Sequence, residues 1–271
     1  MNYNCKISEY EDFYHVEIFN KSITRQDLPT SKEIKEDEPN IDFIYDDTSK
    51  IRSKEEIEHC LNVSKNRSKR NLYHIARSNK WDWFITLTFD RKKTDASDYD
   101  MVVSKLKNWL QNTRKRKCPD LKYLIVPEFH SDGINYHFHG LLANIDCFEL
   151  EDSGKCDFTG NKIYNITNWK KNYGHCTATK IVDNARVTSY IGKYITKDLM
   201  NTLKYKHRFY ASDNCYCSDI NLFNWSYDEL LNACSEDISY IKTVRTPNNQ
   251  IHYVEISKDN KFLIDLFKSL V

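Results

Sequence analysis

The chain has 271 residues, 40% of them hydrophobic and 13% aromatic, so it can bury one large core or a core with appendages. Its 40 Lys and Arg against 39 Asp and Glu leave a net charge of +1, so bulk charge does not call for a nucleic-acid partner. No apolar run reaches membrane-spanning length and no charged start leads into an apolar stretch. No membrane association and no secretion signal are therefore expected, and the expected compartment is the cytoplasm.

Charge is unevenly spread. Acidic stretches lie early, at Lys35-Glu36-Asp37-Glu38 and Asp46-Asp47, and basic clusters come later, at Lys65 to Arg70, Arg91-Lys92-Lys93 and Arg114 to Lys117. Such runs also describe ordinary solvated faces. The nine cysteines include no CxxC pair, and Cys215-x-Cys217 has no matching second pair. They read as free, reduced thiols rather than zinc ligands.

The chain divides in order into an accessory segment over 1–60, a core over 61–215 and an α/β extension over 216–271. The first holds strand-like pieces at Tyr14 to Phe19 and Ile41 to Tyr45. Residues 54–79 have helical character. Trp83 to Phe89 is β-branched and aromatic and predicts a strand. Val102, Val103, Leu106, Trp109 and Leu110 recur at helical spacing and predict a helix over 97–117, capped by Ser97 or Asp98. Lys122 to Phe129 and Tyr136 to Ala143 predict a hairpin around Ser131-Asp132-Gly133. Residues 149–165 read as loop, Gly174 to Ile181 as a strand and Asp183 to Met200 as a helix. A short helix near 227–234, a strand near 251–257 and a terminal helix complete the chain. The order predicts an α+β domain with a mostly antiparallel sheet and helices on one face.

The sharpest chemical signal is His137-Phe138-His139. On a strand, positions two apart share a face, so the imidazoles stand side by side while Phe138 turns into apolar packing. Glu128, across the hairpin turn, can add a carboxylate. Two nitrogens and one oxygen leave coordination positions open, as catalytic metal sites do. Alone, His-x-His also fits a wet strand face without metal. The second signal is the helix from Arg186 to Lys197. Val187, Ile191, Ile195 and Leu199 form an apolar stripe, while Arg186, Tyr190, Lys193, Tyr194 and Lys197 form a separate face. Nearby cations favour a phenolate and can hold phosphate oxygens, so a tyrosine there can attack phosphorus. The plainer alternative is an amphipathic helix with tyrosines at its border. At about 100° per residue, Tyr194 lies roughly 40° nearer than Tyr190 to the apolar stripe. That geometry favours Tyr190 as the first nucleophile and Tyr194 as the second.

Together these pieces resemble the HUH superfamily, and within it the two-tyrosine rolling-circle replication initiators (Rep endonucleases) of small single-stranded DNA phages and rolling-circle plasmids. Thr86-Leu87-Thr88-Phe89 resembles motif 1, and Glu128 with His137-Phe138-His139-Gly140-Leu141-Leu142 resembles the metal-binding motif 2. Ser189-Tyr190-Ile191-Gly192-Lys193-Tyr194-Ile195-Thr196-Lys197 resembles the tyrosine motif 3. His207 to Ser212 is similar to the segment just beyond motif 3 in those initiators. The resemblance spans roughly residues 65 to 215. It implies a ferredoxin-like (RRM-like) HUH endonuclease core, with Mg²⁺ or Mn²⁺ on Glu128, His137 and His139. It also implies catalysis by Tyr190 and Tyr194 with Lys193 and Lys197, and DNA contacts from Thr86, Thr88 and Arg186. The implied reaction is site-specific nicking and rejoining of single-stranded DNA through a 5′-phosphotyrosine, leaving a 3′-hydroxyl primer. The implied partners are a hairpin at a replication origin and the helicase and polymerase of a bacterial host, since no GxxxxGK[ST] motif occurs in the chain. A relaxase or transposase with the same chemistry is the alternative within this class. A non-catalytic nucleic-acid-binding module is the alternative outside it.

Overall fold

The computed structural model describes residues 2–24, 54–195, 206–246 and 248–269. Its strands in chain order are β1 (Asn2–Glu9), β2 (Phe13–Thr24), β3 (Trp83–Thr88), β4 (Lys122–Phe129), β5 (Tyr136–Ala143) and β6 (Leu150–Cys156). Then come β7 (Lys162–Ile166), β8 (Cys176–Lys180), β9 (Tyr210–Ala211), β10 (Ile220–Phe223), β11 (Ile238–Arg245) and β12 (Gln250–Ser257). The described α-helices are α1 (Lys54–Arg77), α2 (Tyr99–Arg116), α3 (Thr167–Asn172), α4 (Asn184–Ile191), α5 (Tyr227–Cys234) and α6 (Lys261–Lys268). The fold is α+β with two antiparallel sheets. The chain divides into two compact units, Met1–Asp37 with Cys217–Val271, and Glu38–Tyr216.

In the first unit the strand order is β10-β1-β2-β12-β11. Val16 on β2 faces both Ile7 on β1 and Val254 on β12, and these side chains join Leu230 of α5 and Leu263 of α6 in one core. Strands from opposite ends of the chain thus share a sheet, an arrangement absent from a division into 1–60 and 216–271. The expected piece Tyr14 to Phe19 lies within β2; Ile41 to Tyr45 falls outside the described residues.

The second unit carries the motifs. Its strands run in the order β6-β7-β8-β3-β5-β4-β9. The middle four, with α2 and α3, make a β-α-β-β-α-β unit whose sheet order is β8-β3-β5-β4, the split βαβ arrangement of ferredoxin-like folds. Alternation along each strand sorts the side chains into two layers. On one face Ile85, Leu87, Ile125 and Phe138 pack under Leu106, Trp109 and Leu110 of α2 and Trp169 of α3. On the other, Leu124, Val126 and Leu141 pack against Leu72 and Ala76 of α1 and Ile191 of α4. So α2 and α3 occupy the single helical face that the sequence suggests, while α1 and α4 lie against the opposite one.

Three local differences have physical causes. Residues 149–165 form the hairpin β6–β7 rather than a loop; β6 is mostly exposed and polar, so it has no apolar alternation to announce it. The helix expected to Met200 ends as an α-helix at Ile191 and continues as a 3-10 turn over Gly192–Tyr194. Residues 196–205, including Lys197 and Leu199, fall outside the described residues. Finally, Cys118, just beyond α2, and Cys147, after β5, form a disulfide with a Cα separation of 5.9 Å. This corrects the expectation of nine free thiols; a pair 29 residues apart carries no spacing signal in the sequence. A thiol reagent should titrate seven cysteines in denaturant without reductant and nine after reduction, and nine in both states would exclude the bond.

Gly174 adopts φ +153° just before β8, where a Cβ would run into the backbone of Thr88, Phe89 and Asp90. Backbone at the end of a central strand cannot yield as a side-chain tip can. Gly174→Ala should therefore destabilise the unit by about 1–3 kcal/mol, as overpacking of a close contact does, measured as a lower denaturant midpoint at unchanged m-value.

Candidate metal and tyrosine site

Strand register brings the motif residues together. Glu128 on β4 pairs directly with His137 on β5, and Thr86 and Thr88 on β3 pair with His139 and His137. Directly opposed residues share a face, so these five side chains rise on one side of the sheet while Phe138 is buried on the other. Gly140 lies next on that other side; a Cβ there would lie 2.9 Å from Cγ1 of Ile125.

The three ligand atoms form a small triangle. His139 Nε2 is 2.8 Å from Glu128 Oε2, His137 Nε2 is 3.1 Å from the same oxygen, and the two nitrogens are 2.8 Å apart. Lone pairs so close repel unless positive charge lies between them. In an octahedral divalent site with bonds of about 2.1 Å, neighbouring ligand atoms are about 3.0 Å apart, so this triangle fits one face of such a shell. Among the described residues this is the one His/Cys/Asp/Glu cluster placed to hold a metal ion.

The charges agree with that use. Burial alone would raise the Glu128 carboxyl, but hydrogen bonds from His137 and His139 outweigh it and hold the pKa at about 2. Burial pushes the His139 imidazolium below the usual histidine range, against an opposing hydrogen bond to Glu128, and so favours the neutral ring that ligates metals. The remaining ring nitrogen of His139, Nδ1, lies 3.1 Å from the Thr86 hydroxyl.

The tyrosines reach this face from α4. Ile181 N–H donates to the Asp82 carbonyl at 2.7 Å, tying the end of β8 to the start of β3. Asp183 caps the new helix by accepting from the Arg186 N–H. The Asn184 amide bonds both the N–H and the carbonyl of Trp81, pinning the helix start to the sheet. Val187 and Ile191 then lie against the sheet. The 3-10 turn at Gly192 advances about 120° per residue instead of about 100°, which rotates Tyr194 further toward the core than a continuous α-helix would. Tyr194 is 8% exposed and Tyr190 42%. The Tyr194 ring stacks on His139 at 3.8 Å between centroids and 10° between planes. Tyr190 meets Tyr194 edge-on at 5.4 Å, and the Lys193 ammonium lies 3.1 Å from the Tyr190 ring centroid.

These surroundings separate the two phenols. Hydrogen bonding from Lys193 and then from Tyr194 lowers the Tyr190 pKa, whereas burial and the bond to Tyr190 push that of Tyr194 well up. Arg186 stands exposed on the first turn of α4 with no side-chain hydrogen bond or ion pair among the described residues. Thr88 sits half-buried beside His137 by register. Two neighbours escaped the sequence analysis. The Phe84 ring packs 5.9 Å from His139 and 6.1 Å from Tyr190, and the His130 ring lies 5.5 Å from His137. His130 lies two residues after Glu128, the same spacing that marks His137 and His139.

Replacing both imidazoles, His137→Ala with His139→Ala, should abolish Mn²⁺ binding measured by calorimetry while leaving the far-ultraviolet circular dichroism unchanged. Undiminished binding by the folded double variant would rule the triad out as the metal site.

One protein family's sequence model, described as a replication-associated protein of the ORF2 type, matches residues 82–199. No curated protein and no solved structure matches the chain. The matched stretch runs from the start of β3 past the tyrosines and contains Glu128, His137 and His139. The match supports a role in initiating replication and, with it, interaction with DNA.

Proposed function

We propose that this chain is a rolling-circle replication initiator of the HUH type that nicks and rejoins single-stranded DNA through tyrosine. The observation that carries the reading is the convergence of Glu128, His137 and His139 beneath two phenols of unequal environment, all within the stretch matched by a replication-associated family.

Glu128, His137 and His139 hold a divalent ion, Mg²⁺ or Mn²⁺. When bound, it polarises a non-bridging oxygen of the scissile phosphate and offsets charge building there. Tyr190, more exposed and hydrogen-bonded by Lys193, supplies the phenolate. Its oxygen forms the new bond to phosphorus as the bond from phosphorus to the 3′-oxygen breaks. The phenolic proton is lost before attack, and the departing 3′-oxygen takes up a proton to become a hydroxyl. The product is a 5′-phosphotyrosine and a free 3′ end that can prime synthesis. Joining reverses the step: a 3′-hydroxyl loses its proton, attacks the phosphotyrosine and restores the diester and the phenol. Tyr194 serves the second transfer, when the regenerated origin is cut. Lys197 repeats for Tyr194 the spacing that Lys193 has to Tyr190. Arg186 and Thr88 line the DNA path, and unwinding comes from a host helicase.

The test is to trap the covalent adduct on an oligonucleotide carrying the replicon's origin and to map it by peptide mass spectrometry. Tyr190→Phe should lose most of the first adduct, and Tyr194→Phe should retain it but fail to join strands. The adduct should require a divalent metal and vanish with a chelator. Its rate should rise with pH and level off below pH 10, the usual phenol value, because the lowered Tyr190 pKa makes phenolate available earlier. Absence of any metal-dependent adduct would remove the proposal; an adduct confined to Tyr194 would exchange the two tyrosines.

A further inference from the structure

We infer that Thr86 is a positioning residue for His139, acting on the metal site through a hydrogen bond rather than by touching DNA. The inference rests on the reading of Glu128, His137 and His139 as metal ligands.

An imidazole that offers Nε2 to a cation must carry its proton on Nδ1, and that N–H needs an acceptor once buried. His139 is buried, and its Nδ1 lies 3.1 Å from the Thr86 hydroxyl oxygen. The pairing is set by the sheet, since Thr86 on β3 is the direct register partner of His139 on β5. A β-branched side chain in a strand has a stiff χ1, so the hydroxyl holds its direction. Tyr194 closes the ring's face at 3.8 Å. His139 is thus held at one edge and on one face, with Nε2 left toward Glu128 and His137. His137 is held differently: its own Nδ1 is buried with no hydrogen-bond partner. The two imidazoles are therefore unequal, His139 set in one tautomer by the sheet and His137 directed by contacts at Nε2 alone.

Removing the hydroxyl would free His139 to place its proton on Nε2, where it cannot ligate. Thr86→Val keeps the shape and strand preference of the side chain and deletes only the acceptor. Thr86→Ser keeps the acceptor. Mn²⁺ affinity, measured by calorimetry or by electron paramagnetic resonance in the absence of DNA, should fall about 10–100-fold in Thr86→Val, the usual loss when such a supporting partner is removed. Thr86→Ser should recover most of it. Affinity for a single-stranded oligonucleotide in EDTA should be the same for both variants and the natural protein. Unchanged Mn²⁺ affinity in folded Thr86→Val would overturn the inference, as would equal weakness of the folded Ser and Val variants. Loss of oligonucleotide affinity in EDTA at unchanged Mn²⁺ affinity would make Thr86 a DNA contact instead. Failure of the natural protein itself to bind Mn²⁺ would overturn the metal reading beneath it, a result distinct from any of these.

Discussion

Three lone-pair-bearing atoms, two imidazole nitrogens and a carboxylate oxygen, lie 2.8 to 3.1 Å apart on one face of a sheet. Left to themselves they would repel, so something must hold them there. The holding force is the β3–β5–β4 ladder. Its hydrogen bonds set which residues stand opposite one another, and its far face is anchored by Phe138 packed with Phe89. A one-residue slip of β5 would turn both histidines into the core and Phe138 into water. Buried aromatic packing on one face therefore maintains the electrostatically demanding arrangement on the other.

The second face is not bare. The ends of α1, α4 and the turn after it build a small apolar layer from Leu72, Ala76, Ile191, Tyr194 and Ile195. That layer brings a tyrosine against a metal-ligand candidate, so helix packing and site geometry cannot vary independently. Tyr194 belongs to both: its ring is part of the core layer and part of the wall around His139. Tyr190, one turn earlier, stays in contact with solvent and with Lys193. Two residues of the same type acquire different acidities because one is desolvated and the other is hydrogen-bonded by an ammonium group. For a reaction that needs two phenols in turn, such inequality supplies an order.

Much of this was legible in the sequence, and for a common reason. Strand alternation places His137 and His139 together whatever the rest of the chain does, and the short turn at Ser131-Asp132-Gly133 leaves β4 little choice of register, so Glu128 is brought opposite them. Helical spacing likewise makes a stripe of Val187, Ile191 and Ile195, two of which are buried and the third half-buried. Periods of 2 and 3.6 are local properties, and apolar patterning reports them directly. Pieces without a patterned apolar face, such as the exposed hairpin β6–β7, sent no such signal.

What only the tertiary structure decided is whatever depends on residues far apart in the chain. The bond between Thr86 and His139 spans 53 positions, and no spacing rule encodes it. The covering of the second face by α1 and α4, the disulfide of Cys118 with Cys147 and the sharing of one sheet by both ends of the chain are of the same kind. The 3-10 turn at Gly192 is an intermediate case. The glycine is visible in the sequence, but the rotation that seats Tyr194 on His139 also depends on the surface the helix packs against. The sequence alone determined which side chains could meet on one strand face or one helix face, because backbone geometry dictates those neighbours. Their solvation, acidity and hydrogen-bond partners came from packing between elements, because these depend on what lies across the gap.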